Sequence, residues 1–264
     1  MLPLLLGACS QDADDQVAVG TQQHQQDVIA IVDVTVLPMV GEDRLDHQTV
    51  MIQNGRVSFL GSAAEAVVPE SATVIDGSGR FLLPALSDMH AHPMREADLA
   101  LYLANGVTTI RAMWGEPSLL AMRDAVRAGD TPGPRIYSSG RIVGGAPPHH
   151  FGTVALAKPE NAETVISSQI EDGFDFIKIY SLMSAEVFDA VDAAATTMGV
   201  EFSGHVPVEV SLERAVASHM QTMEHLYGFI KTLQKPELNA DIEWRFMDAE
   251  AAELVSQWGS GELQ

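Results

Sequence analysis

The 264-residue sequence is poor in several kinds of residue, and each shortage narrows what the protein can be. A single cysteine, Cys9, rules out an intrachain disulfide bond. Lysine and arginine number 15 against 36 acidic residues, a formal net charge of −21, so nucleic acid is excluded as a partner because phosphate binding needs clustered basic residues. Hydrophobic residues are abundant and make up 46% of the sequence, which is enough for a large buried core. We therefore expect a globular protein with one large α/β barrel or two modest domains.

The N-terminal segment, residues 1–27, predicts a lipid anchor and a tether. The apolar run before Cys9 is too short to cross a bilayer, but Leu6-Gly7-Ala8-Cys9 resembles the lipobox of bacterial lipoproteins, in which the cysteine is lipidated. It lacks a positively charged leader, so a start further upstream and a chance apolar N-terminus are the alternatives. The polar residues 10–27 suit a disordered tether. We expect a lipid-anchored protein of the bacterial cell envelope, on the periplasmic face of the outer membrane.

Residues 28–83 contain short runs rich in Val and Ile. The segment QTVMIQNGRVSFLG places Asn54-Gly55 between two apolar runs, which is the strongest short signal for a β-hairpin. We predict a small β-sandwich element that is too small to fold alone.

From residue 84 to 264, helical patterns alternate with short apolar strands. Six strands and five helices follow one another, which is typical of βαβ units and a parallel sheet. We predict a (β/α)₈ TIM-type barrel of which about six βα units are present. A doubly wound sheet is the alternative, although it would more often carry a glycine-rich phosphate turn after its first strand.

Several histidines and one lysine lie at the ends of these predicted strands. Alternation of side chains along a strand places His90 and His92 on one face, although two exposed histidines in a loop would give the same pattern. The ends of later strands carry Lys178 with Tyr180, then His205, then His225. Because strand ends meet at the mouth of a barrel, we predict that these side chains form a metal site.

Lys178 lies between Ile177 and Ile179 on a strand flanked by helices, so we expect it to be buried. A buried ammonium group is costly unless it is paired. Either Lys178 forms a salt bridge or extends to the barrel mouth, or CO₂ carbamylates its neutral amine and makes an anionic ligand able to bridge two metal ions.

The motifs LPALSDMHAHP, LANGVTTIRAM, FIKIY, SGHV and MEHL, in this order, resemble the amidohydrolase superfamily, and most closely its imidazolonepropionase-like and prolidase-like enzymes. The resemblance covers residues 28 to about 230 and implies a β-sandwich built around a metal-dependent (β/α)₈ barrel. It matches His90 and His92 to the ligands of a first metal ion, and His205 and His225 to those of a second. Lys178 matches the carboxylated lysine that bridges them.

The resemblance also implies a chemistry. Two divalent ions, Zn²⁺ in the first place with Mn²⁺, Co²⁺ or Fe²⁺ as alternatives, would activate a water to attack an amide, a cyclic amide or a dipeptide. His149 and His150, in a loop rich in glycine and proline, and Tyr180 and Tyr227, next to predicted ligands, are candidate substrate contacts. Ordinary loop or packing roles are at least as plausible for these four. A homo-oligomer is compatible with the sequence.

Two departures from the family pattern bear on activity. Pro84-Ala85-Leu86 stands where the family usually has Pro-Gly-Leu. We find no aspartate at the end of an eighth strand, where the family has its general base, and we expect a chain that stops early and turns over little as written. The alternative function is a truncated or degenerate member of the family, that is, a lipoprotein that binds metal or ligand without catalysis.

Overall fold

The computed structural model describes residues 28–41, 43–148 and 152–229. The chain divides into two compact units, of which the first ends at Pro84 and the second begins at Ala85. In the described ranges, no helix is both long and apolar enough to cross a membrane.

The N-terminal unit is a five-stranded mixed sheet. Its strands are β1 (Val28–Val36), β2 (Leu45–Gln53), β3 (Arg56–Ser62), β4 (Thr73–Asp76) and β5 (Phe81–Leu82). Strand β1 pairs antiparallel with β2 and parallel with β4 and β5, while β2 pairs antiparallel with β3. Asn54 and Gly55 join β2 to β3 with φ angles of 54° and 69°, the positive values that a type I′ turn requires. The predicted hairpin is therefore confirmed. The described residues form one sheet here, so the β-sandwich stays a prediction.

The C-terminal unit alternates parallel strands with helices. Its strands are β6 (Leu86–Ala91), β7 (Val107–Ala112), β8 (Arg135–Ser138), β9 (Ile142–Gly144), β10 (Thr153–Ala155), β11 (Ile177–Ile179), β12 (Phe202–Gly204) and β13 (Met220–Met223). Its helices are α1 (Glu96–Ala104), α2 (Pro117–Ala128), α3 (Ala162–Glu171), α4 (Ala185–Met198) and α5 (Leu212–Ala217). The six strands predicted from the sequence are β6, β7, β8, β11, β12 and β13, and each is followed by the predicted helix where the chain is described.

All strand pairs in this unit are parallel. One sheet has the order β6-β7-β8 and the other the order β10-β9-β11-β12-β13, and a bridge between Ser139 and Phe176 links them. The main strands follow chain order without the reversal that a doubly wound sheet has. The fold is thus mixed α/β with parallel sheets, and closure into a barrel stays a prediction. Strands β9 and β10 were not predicted, because three-residue strands in a loop rich in glycine and proline show no periodicity.

Helix α4 shows how the sequence sets these elements. The Ser184 hydroxyl accepts a hydrogen bond from the Val187 N–H and begins the helix, and Gly199, with φ of 66°, ends it. Between the two, Phe188 and Val191 are buried against the apolar residues of β11 and β12. Strand β11 is buried on both faces, as is typical of a strand covered by helices.

Candidate metal centre

A cavity of about 790 Å³ lies at the carboxyl ends of the strands of the C-terminal unit. Its lining residues are His90, His92, Trp114, Ile142, Lys178, Tyr180, His205, His225 and Tyr227. Seven of these were singled out in the sequence, and the structure brings all seven to this one cavity. Trp114 and Ile142 were not predicted, since nothing in the sequence distinguishes them from core residues.

The four imidazole rings converge. The ring centres of His90 and His92 are 5.2 Å apart, those of His90 and His225 are 4.5 Å apart, and those of His205 and His225 are 5.0 Å apart. These residues come from three strands: His90 lies in β6 and His92 follows it, His205 follows β12, and His225 follows β13. The parallel pairing of the strands explains why the four histidines lie close together, because it places the carboxyl ends of all the strands at the same edge of the sheet.

Two local backbone features hold this arrangement. Gly204, which ends β12, has φ of 140°, and a Cβ there would lie 2.2 Å from the Ile179 carbonyl oxygen and 3.0 Å from the Lys178 side chain. A glycine is therefore needed for β12 to approach β11. His225 and Leu226 have φ angles of 58° and 59°, a conformation that costs energy for residues other than glycine and that is concentrated at functional sites.

Lys178 is 1% exposed, as expected, and its Nζ is a buried atom with no hydrogen-bond partner in the described part of the chain. Burial lowers the pKa of Lys178 to about 8, with the Glu224 carboxylate opposing this shift and the Arg111 guanidinium adding to it. A neutral amine is therefore accessible near neutral pH, which is the form that reacts with CO₂. The predicted alternative of a salt bridge is not what the described residues show, because no carboxylate lies within bonding distance of Nζ.

His205 is held as a neutral imidazole. Its Nδ1 lies 2.7 Å from the Ser181 hydroxyl oxygen, which leaves Nε2 for another bond. The Tyr180 and Tyr227 rings lie 4.5 Å and 4.3 Å from its centre. Burial, followed by the charges of Lys178 and its neighbouring histidines, lowers the pKa of His205 to about 2. Burial also lowers the pKa of His225. Neutral imidazoles are the form in which histidine ligates metal ions.

Glu224 and Arg111 belong to this site and were missed in the sequence. One Glu224 oxygen lies 2.6 Å from His90 Nδ1, and the other accepts hydrogen bonds from Arg111 and Thr222. Burial acts to raise the pKa of Glu224, but the hydrogen bonds and the nearby positive charges outweigh it and bring that pKa to about 2. The only signals in the sequence are an acidic residue beside His225 and an arginine within an apolar strand.

The donor set suits divalent metal ions, since imidazole nitrogens and carboxylate oxygens are the ligands of zinc sites. A buried lysine without a partner would become an oxygen donor once carbamylated. In the described ranges, no three His, Cys, Asp or Glu side chains are already gathered into a ready metal-binding cluster. Metal binding commonly organises its own ligands, so the residues fit such ions without forming the coordination sphere in advance.

Three candidates fall outside the described residues. They are His149 and His150, proposed as substrate contacts, and Cys9, proposed as the lipidated residue. Tyr180 and Tyr227 line the cavity, and their roles stay predictions.

The C-terminal unit is thus an α/β protein whose parallel strands bring four histidines and a buried lysine to one cavity. No model of a known protein family matches the chain. It is similar to an imidazolonepropionase from Idiomarina loihiensis, 40% identical over 52 residues, which are 20% of this chain and 13% of that protein. It is also similar to a dihydroorotase from Mycobacterium tuberculosis, 30% identical over 134 residues, 48% of this chain and 30% of that protein.

The chain is also similar to solved structures of proteins described as an amidohydrolase and a prolidase. A bottromycin amidohydrolase, 26% identical, has a TM-score of 0.65 over 80% of this chain and 46% of its own. A Bifidobacterium longum protein described as a prolidase, also 26% identical, has a TM-score of 0.61 over 69% of this chain and 50% of its own. The resemblance to the amidohydrolase superfamily is confirmed. The chain spans about half the length of these solved proteins and less than a third of the curated relatives.

Proposed function

We propose that this chain is part of a metal-dependent hydrolase that cleaves a carbon–nitrogen bond in an amide, a cyclic amide or a dipeptide. The observation that carries the proposal is the cavity lined by four imidazoles together with Lys178, whose Nζ is buried without a hydrogen-bond partner among the described residues. The similar proteins described as a prolidase and as an amidohydrolase support hydrolysis as the reaction class. The substrate and the activity of the whole protein are part of the proposal.

In this proposal His90 and His92 hold one divalent ion and His205 and His225 hold a second. Zn²⁺ is the first choice for such ligands, with Mn²⁺, Co²⁺ and Fe²⁺ as alternatives. Lys178 provides a further ligand after its neutral Nζ attacks CO₂. This reaction forms an N–C bond and releases one proton, which gives an anionic carbamate. That reaction replaces a buried cation by an oxygen ligand, and it accounts for a lysine whose Nζ lacks a hydrogen-bond partner.

The bound ions would lower the pKa of a water and polarise the scissile carbonyl. The chain's own residues then orient the substrate. Tyr180 and Tyr227 flank His205, where their hydroxyl groups could hold a carbonyl or carboxylate oxygen. Trp114 and Ile142 provide the apolar part of the wall and would exclude water from the reacting bond.

The test is metal analysis together with a substrate screen. The protein is stripped with a chelator, reconstituted with Zn²⁺ in the presence or absence of bicarbonate, and assayed with dipeptides and cyclic amides. We expect up to two ions per chain and more retained Zn²⁺ with bicarbonate. Lys178→Ala should lose the bicarbonate effect, whereas Lys158→Ala, which removes an exposed lysine, should keep it. Turnover without bound metal would contradict the proposal, and stable metal binding with no turnover would favour the non-catalytic alternative.

A further inference from the structure

The Glu224 carboxylate joins three parts of the C-terminal unit at one buried point. Its Oε2 lies 2.6 Å from His90 Nδ1. Its Oε1 accepts from Arg111 Nη2 at 2.7 Å and from the Thr222 hydroxyl at 2.6 Å. Glu224 is 9% exposed, so these contacts are made away from bulk water.

Arg111 fixes the carboxylate in turn. Its Nε donates to the Met89 carbonyl oxygen at 2.8 Å and its Nη1 to the Thr222 hydroxyl oxygen at 3.0 Å, while its Nη2 reaches Glu224. The guanidinium group therefore spans from β6, through its own strand β7, to the end of β13. A planar group with this many partners leaves the carboxylate little freedom to rotate.

We infer that Glu224 is the positioning residue of His90, and that its carboxylate keeps the proton of His90 on Nδ1 so that Nε2 is left to bind a divalent cation. An ionised carboxylate has no hydrogen to donate, so the short contact requires Nδ1–H as the donor. Partners of this kind orient metal-ligating histidines and raise their basicity. The identity of the ligand rests on the proposed function, but the position of the proton does not.

The first test is the tautomer of His90 in the metal-free protein, read from ¹⁵N–¹H correlations of the imidazole and assigned with His90→Gln. We expect the Nδ1–H form. In Glu224→Gln, Arg111 and Thr222 both donate to one oxygen, so the amide oxygen should remain there and the amide NH₂ should face His90. The proton of His90 should then move to Nε2. An Nε2–H tautomer in the unaltered protein would overturn the inference, and this outcome is read from the unaltered protein, with His90→Gln serving only to assign the signal.

The second test is Zn²⁺ affinity measured by competition with a chelating dye. Glu224→Gln should weaken binding by about 10- to 100-fold, as is usual when the partner of a ligating histidine is lost. Glu209→Gln makes the same change at an exposed position and should leave the affinity unchanged. In a His90→Ala background, Glu224→Gln should cause no further loss, because Glu224 acts through His90.

Equal losses in both backgrounds would show that Glu224 is only a structural ion pair and would overturn the inference. If the unaltered protein binds no Zn²⁺, the proposed function fails, and the tautomer measurement still decides whether Glu224 positions His90.

Discussion

At the scale of single residues, Lys178 is a group in the candidate metal centre whose burial lowers the stability of the folded chain. Its amine is buried, its Nζ has no hydrogen-bond partner among the described residues, and burial lowers its pKa from 10.5 to about 8. A shift of this size corresponds to about 3 kcal/mol of lost folding stability at pH values where Lys178 is protonated in both the folded and the unfolded chain. Such a cost is typical of a group retained for function rather than for stability.

We therefore expect Lys178→Met to stabilise the metal-free chain at pH 7, by up to about 3 kcal/mol, because methionine has a similar length and no charge. The sign follows from the lowered pKa. The penalty in the unaltered chain is full below pH 8, decreases as the pH rises from 8 to 10.5, and vanishes above. Urea unfolding of both chains with chelator, at pH 7 and pH 10, measures the difference.

The exposed Lys158→Met variant is the control and should change stability little at either pH. A metal-free Lys178→Met chain that is less stable than the unaltered chain at pH 7 would show that the ammonium group is stabilised by interactions that the described residues do not reveal.

Some residues of the candidate metal centre could be predicted from the sequence and others could not. His90 and Lys178 could be predicted because a polar side chain in an apolar strand is conspicuous and strand ends meet. Glu224 and Arg111 were missed, although Arg111 also lies in an apolar strand, because only the folded chain shows that the Glu224 carboxylate contacts both His90 and Arg111. The partner of a buried charge depends on pairing between strands that are distant in the sequence.

At the scale of elements, the contact between β11 and β12 depends on Gly204. We expect Gly204→Ala to lower the free energy of unfolding by at least about 2 kcal/mol, because the new Cβ would overlap the Ile179 carbonyl oxygen. Zn²⁺ affinity should decrease as well, since the same Cβ presses on the Lys178 side chain. Chemical denaturation and dye competition measure the two effects.

Gly199→Ala provides the matched control. Gly199 also has a positive φ, but a Cβ there meets nothing within 4 Å, so only the backbone strain of about 1 kcal/mol should appear. Equal losses for the two variants would mean that strain alone, rather than the approach of β12 to β11, explains Gly204.

In the N-terminal sheet, His47 of β2 and Asp33 of β1 form an exposed ion pair with a distance of 2.7 Å between Nδ1 and Oδ1. The hydrogen bond that His47 donates to the Asp33 carboxylate raises the pKa of His47. The contribution of this ion pair to stability is therefore complete below pH 6.5, and it is lost as the pH rises through the pKa of His47 in the folded state. Asp33→Asn should return the pKa of His47 to its ordinary range in an NMR titration.

Asp130→Asn, which removes an exposed carboxylate of the other unit, should leave the titration of His47 unchanged. A raised pKa that persists in Asp33→Asn would assign the effect to other acidic groups, with Asp46 the next candidate.

At the scale of the whole molecule, strand order could be predicted and small loop strands could not. Long apolar periodicity gave the alternation of strands and helices from β6 to β13, because burial of whole elements dominates the pattern. Strands β9 and β10 form through pairing with β11 and its neighbours, which no local pattern reports. The loop that contains them supplies Ile142 to the cavity, so the part of the site set by loops was the least predictable.

The acidity of the whole chain makes a further prediction. With a net charge of −21 and a pI of about 4.6, like charges repel more strongly in the compact folded state than in the unfolded chain at neutral pH. Salt screens this repulsion, and the Debye length decreases from about 30 Å at 0.01 M to about 8 Å at 0.15 M. We expect the melting temperature of the metal-free chain at pH 7.5 to rise by a few degrees over this range of NaCl and to change little from 0.15 M to 0.5 M.

Differential scanning calorimetry at fixed buffer concentration measures this change in melting temperature, and the effect of salt should disappear near pH 4.6, where the net charge vanishes. A melting temperature that rises steadily with salt above 0.15 M, or equally at pH 4.6, would point to general exclusion of salt from the protein surface instead of charge screening.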